Sequence, residues 1–80
     1  MSVTITYCVP CKYEGRARAA ADAVSEELGV RVDLIPAGGG VFKVAIDDEV
    51  IVSKTRGFFP SSDDVVSAVR ERLSASALHG

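Results

Sequence analysis

At 80 residues, with 48% hydrophobic and 25% charged side chains, the chain has room for one domain spanning 1–80 and is too apolar for disorder. A net charge of −2, with no basic stripe interleaved with aromatics, lacks the electrostatic footprint of a nucleic-acid binder. The first strand begins at about Val3, leaving no room for a signal sequence, and no apolar run approaches a bilayer span; a cytoplasmic protein without membrane attachment is expected.

Val3, Ile5 and Tyr7 alternate with Thr4 and Thr6, the period-two pattern of a strand with one buried face. From Lys12 to Leu28 the period lengthens, with Ala17, Ala20, Ala21, Val24 and Leu28 at helical spacings, and Gly29 supplies the stop. Val30 to Ile35 alternates again, so strand, helix and strand imply a right-handed parallel crossover. Pro36-Ala37-Gly38-Gly39-Gly40 reads as a loop, and Val41 to Ile46 as a third strand. Asp47-Asp48 forms a two-residue hairpin turn into a fourth strand, Glu49 to Ser53, antiparallel to the third. After the Thr55 to Pro60 loop, Ser61 or Ser62 offers an N-cap, with Asp63 and Asp64 in the first turn and Val65, Val66, Val69 and Leu73 along one helical face. Periodicity lapses beyond about Ser74, and fraying is expected from about residue 75.

The order is β-α-β-β-β-α, an α/β fold with a mixed four-stranded sheet. One strand face is apolar while Thr4, Thr6, Arg31, Asp33 and Lys43 occupy the other. Both helices are therefore expected on a single side of the sheet.

The only two cysteines form Cys8-Val9-Pro10-Cys11 at the first strand-to-helix junction. Residues three apart in a first helical turn have Cα atoms roughly 5 Å apart, within the range a disulfide accepts. A helix N-terminus favours a thiolate, the reactive form of the thiol, and Pro10 suits a helix opening because it has no N–H to satisfy. If the first strand is central, the pair sits at its carboxyl end, where open α/β sheets bind ligands. Thiol redox chemistry is the leading reading, and competing uses of the pair are less well supported. A disulfide closing so short a loop stabilises by only about 2 kcal/mol from chain entropy. Structural zinc is almost always four-coordinate, and His79 near the terminus does not complete a site within one chain. A metal would need a dimer sharing four cysteines. An incidental buried pair is the remaining alternative.

Tyr7-Cys8-Val9-Pro10-Cys11, Tyr13 with Arg16-Ala17, Gly40-Val41-Phe42-Lys43-Val44, Asp47, Val50 to Lys54, and Gly57-Phe58-Phe59-Pro60 together resemble the selenoprotein W-like Rdx family, in a cysteine-containing member. The resemblance implies a minimal thioredoxin-like fold and a role in cell redox homeostasis. It also implies that Cys11 occupies the position where selenocysteine-containing members carry selenium. Two positions depart from the family pattern: Asp48 replaces a glycine common in the hairpin turn, and Phe58 stands where an arginine often precedes the Phe-Pro pair.

Other residues supplement the cysteines. Lys12 and Arg16, taken as i, i+4 helical neighbours, would deepen the positive field at the sulfurs, although such pairs are commonly a solvated face. Gly38-Gly39-Gly40 lacks a phosphate-loop context and would approach the cysteines from the side, where thioredoxins keep a cis-proline. In Gly57-Phe58-Phe59-Pro60, one ring is expected to anchor the second helix while the other forms a docking surface; the alternative is that both cap the core. Exposed placement at the turn favours Cys8 as the attacking sulfur and Cys11 as the resolving one, whereas the resemblance favours Cys11. The leading function is thiol–disulfide oxidoreduction with glutathione or protein thiols and disulfides, without bound cofactor or metal, by a monomer or weak homodimer. A non-enzymatic, redox-sensitive binding module is the alternative.

Overall fold

The computed structural model describes residues 3–79, with side chains described as far as Ser74. Its elements are β1 (Val3–Cys8), α1 (Glu14–Leu28), β2 (Val32–Ala37), β3 (Phe42–Ile46), β4 (Glu49–Ser53) and α2 (Ser62–His79). Against the expected fraying from about residue 75, α2 continues to His79; the side chains beyond Ser74 lie outside the described residues.

The sheet order is β2-β1-β3-β4. β1 pairs in parallel with β2, from Val3 opposite Val32 to Cys8 opposite Ala37, and antiparallel with β3, from Val3 opposite Ile46 to Tyr7 opposite Phe42. β3 and β4 are antiparallel, with a bulge at Val44/Ala45. Strand β2 runs past the expected end at Ile35 through Pro36. As an edge strand it tolerates a residue that cannot donate to a ladder.

One core lies between the sheet and the helices. Val3, Ile5 and Tyr7 of β1 and Phe42, Val44 and Ile46 of β3 are buried with Ala17, Ala20 and Val24 of α1 and Val65, Val66 and Val69 of α2. Both helices thus cover the same face. The alanines of α1 keep its buried side thin, and the helix packs against both the sheet and α2. Thr4, Thr6, Lys43 and Ala45 are half-buried on the opposite face, and Asp33 is exposed, as the period-two alternation requires.

Local chemistry terminates the elements as the residue types suggest. Gly29 ends α1 in the left-handed region at φ 66°, its N–H donating to the Ser25 carbonyl. Asp47 and Asp48 both adopt positive φ, 50° and 73°, the backbone of a tight hairpin turn. Ser61 caps α2 reciprocally: the Asp64 N–H donates to Ser61 Oγ at 3.1 Å and the Ser61 N–H donates to Asp64 Oδ2 at 3.0 Å.

The start of α1 differs from the sequence expectation. The helix begins at Glu14, with Tyr13 as its N-cap residue, because Lys12 takes φ 63° and cannot enter a right-handed helix. Lysine is a good helix former, so nothing at that position announced the break.

Candidate redox site

With β1 between β2 and β3, the connection from Ala37 to Phe42 must cross the carboxyl end of β1. Gly39 and Gly40 provide the left-handed backbone for that crossing, at φ 72° and 75°. Cys8 ends β1 beneath this connection, opposite Ala37, and the Val9 N–H extends the pairing by donating to the Ala37 carbonyl at 2.9 Å. The chain then reverses. The Lys12 N–H donates to the Val9 carbonyl at 3.0 Å, and the Tyr13 N–H donates to the Cys8 carbonyl at 3.3 Å. Pro10 is the second residue of this turn, where its fixed φ is pre-set, and it does not open the helix.

Cys8 and Cys11 are joined by a disulfide with a Cα–Cα separation of 5.3 Å. The turn delivers the separation expected from the spacing, although by a different backbone route. The two residues differ sharply in access: Cys8 is 1% exposed, while Cys11 lies on the surface with Val9, Pro10 and Lys12. The expectation of an exposed Cys8 is therefore corrected. It is the last residue of a central strand, paired with Ala37 of β2 and 1% exposed, and the exposed residue of the pair is Cys11.

Lys12 and Arg16 are likewise not successive-turn neighbours of one helix, because Lys12 precedes α1. Arg16, in its first turn, places its guanidinium carbon 4.4 Å from the centroid of the Phe59 ring. Phe59 meets Tyr13 edge-on at 4.9 Å and Phe42 at 4.8 Å. It thereby ties the β4–α2 loop to the segment that closes the cysteine turn. Pro60 is buried behind it, whereas Phe58 is 47% exposed. One ring anchors and the other faces solvent. The Phe58 backbone exchanges hydrogen bonds with Thr55, at 2.9 and 3.4 Å, across Arg56-Gly57.

Sequence reading did not single out Tyr13 as a packing partner, nor Lys54 and Arg56 beside the site. The Lys54 N–H donates to the Phe42 carbonyl at 2.8 Å, fixing the start of the loop against β3. The signal available in the sequence was the cation-bearing stretch Lys54-Thr55-Arg56 before Gly57. Among the described residues there is no cluster of three or more His, Cys, Asp or Glu able to hold a metal, and no helix is long and apolar enough to cross a membrane.

Known proteins share this architecture. The chain is 30% identical over 78 residues to "Migration and invasion enhancer 1" of Bos taurus, covering 95% of this chain and 68% of that protein. It is 33% identical over 70 residues to the Mus musculus protein of the same name, covering 85% and 61%; the chain thus spans under two thirds of the mouse relative. A crystal structure from Bordetella parapertussis superposes with a TM-score of 0.80 at 27% identity, over 89% of this chain and 95% of that one. A selenoprotein W-related protein from Vibrio cholerae gives a TM-score of 0.77 at 24% identity, over 88% and 92%. The fold is thus the selenoprotein W-like form of the thioredoxin-like fold. The Rdx family model matches residues 2–71, and the chain belongs to the Rdx family.

Proposed function

We propose that the chain is a thiol–disulfide redox protein that exchanges disulfides through Cys11 and closes the reaction with Cys8. The observation that carries this reading is the asymmetry of the pair: one disulfide joins an exposed residue to a buried one at the carboxyl edge of the sheet. Thiol–disulfide exchange requires a thiolate to reach a sulfur along the S–S axis, so access helps decide which sulfur exchanges. In the reduced protein the Cys11 thiolate attacks an external disulfide, forming a mixed disulfide and releasing the partner's first sulfur as thiolate. Cys8 then attacks the Cys11 sulfur, forming the internal disulfide and releasing the second. Two electrons pass to the partner, and the protons lost by the cysteines go to solvent.

The surroundings support a sulfur anion at this position. Tyr13 gives α1 no side-chain cap, so first-turn N–H groups and the positive end of the helix dipole lie just after the turn. Glutathione and protein disulfides are the partner classes, and the cytoplasm, where a close cysteine pair can cycle, is the proposed compartment. Exposed Phe58 also favours a second reading as a redox-sensitive binding module. Turnover separates the two: catalysed exchange between glutathione and a model disulfide supports the first, and a redox-dependent dissociation constant without turnover supports the second.

A reversible thiol titration tests the shared premise. Two free thiols per chain should convert to one intramolecular disulfide and back, with the circular dichroism spectrum retained. Oxidation that yields only intermolecular dimers, or stoichiometric bound zinc, would contradict it.

A further inference from the structure

Apart from Lys43 on the open face of β3, the nine cations divide into two groups. Arg18, Arg31, Arg70 and Arg72 each face a carboxylate, from Glu14, Asp33, Glu27 and Glu49 respectively. Lys12, Arg16, Lys54 and Arg56 have no carboxylate partner among the described residues, and all four lie at the cysteine end of the sheet. Lys12 follows the exposed sulfur directly. Arg56 is exposed at the tip of the Thr55–Phe58 turn, and Phe59 anchors that loop to Tyr13. The acidic residues nearest this edge are already engaged or set at a helix start: Glu14 binds Arg18, Asp64 binds Ser61, and Asp63 lies in the first turn of α2. Among the described residues, a chain of net charge −2 thus gathers four of its five cations without a carboxylate partner at the cysteine end of the sheet, the fifth being Lys43 on the open face of β3.

The same edge exposes apolar surface. Val9 is 50% exposed on one side of the sulfur's turn, and Phe58 is 47% exposed on the neighbouring loop. A groove of about 320 Å³ between the starts of α1 and α2 is lined by Gly15, Arg16, Ala19, Pro60, Ser61 and Ser62, and by neither cysteine. Cys11 stands on a projecting turn, accessible to a surface that can drape over it.

From this juxtaposition we propose that the preferred partner of Cys11 is a disulfide-bonded cysteine in an acidic polypeptide segment, whose carboxylates face Lys12, Lys54 and Arg56 while apolar residues rest on Val9 and Phe58. The proposal rests on the redox reading above and names its substrate class. Opposite charge steers encounter and fixes orientation before exchange. The chemistry is the exchange already written: Cys11 takes one partner sulfur, Cys8 displaces it, and the partner leaves as a dithiol. Glutathione also carries carboxylates, so its disulfide serves as the small-molecule arm of the test.

The test is stopped-flow exchange between reduced full-length protein and disulfide peptides of one length, with glutamate, serine or lysine flanking the cystine, alongside oxidised glutathione. Each rate is divided by that of the same disulfide with a neutral small thiol, which removes intrinsic differences in sulfur reactivity. At low ionic strength the glutamate peptide should react at least about tenfold faster than the lysine peptide, with the ratio shrinking at high salt. Arg56→Glu, checked for folding by circular dichroism, should narrow it. Equal rates, a preference for lysine, or oxidised glutathione faster than the glutamate peptide would overturn the acidic-partner assignment while leaving redox exchange intact. No exchange with any disulfide would instead remove the redox reading itself.

Discussion

The Arg16 guanidinium lies 4.4 Å from the centre of the Phe59 ring, and this contact joins the first turn of α1 to the loop that leads into α2. Phe59 also packs on Tyr13 and Phe42, so one half-buried ring connects both helix starts, the start of β3 and the segment closing the cysteine turn. Phe59→Ala should destabilise the fold by about 3 kcal/mol in denaturant unfolding. In a double-mutant cycle, Arg16→Ala should couple to it by about 0.5–1 kcal/mol, the range for an exposed cation over an aromatic face. Additive effects would show that the stacking contributes nothing.

Lys12 holds the left-handed backbone that ends the cysteine turn, at φ 63°. Lys12→Ala and Lys12→Gly remove the same charge and differ chiefly in the Cβ that this conformation disfavours. The glycine variant should therefore be the more stable of the two by about 1 kcal/mol. Alanine equal to or better than glycine would mean that the turn is not left-handed at this residue in solution.

In the β3–β4 hairpin, Asp48 adopts φ 73° between the paired residues Ile46 and Glu49. Asp48→Gly should raise the unfolding free energy by about 0.5 kcal/mol, the relief of left-handed strain exceeding the added freedom of the unfolded chain. A lower midpoint would contradict the turn geometry.

At the start of α2, Ser61→Ala removes the acceptor of the Asp64 N–H and should cost about 1 kcal/mol. Ser62→Ala, with no corresponding cap bond, should cost less. Equal losses would place the cap elsewhere.

Much of this was legible in local pattern. The alternation in β1 and β3, the alanine spacing in α1, Gly29 and the Asp47-Asp48 turn depend on near neighbours in sequence, and each appears where that chemistry points. The burial of Cys8 does not have a local cause. It follows from the central place of β1 between β2 and β3, and no spacing around Cys8 encodes that placement. The late start of α1 was hidden because Lys12 has ordinary helix propensity, and its left-handed backbone belongs to the closed cysteine turn. The contact between Arg16 and Phe59 likewise requires two loops to meet at one edge. Sequence could name both residues without pairing them.

The central assignment, an exposed exchanging sulfur backed by a buried resolving one, is tested most directly by mass spectrometry of single-cysteine variants treated with oxidised glutathione. Cys8→Ser should accumulate a stable glutathione adduct on Cys11, because nothing remains to displace it. Cys11→Ser should leave Cys8 largely unmodified while the fold persists. An adduct on Cys8 in the Cys11→Ser variant, with none on Cys11 in the Cys8→Ser variant, would contradict the assignment.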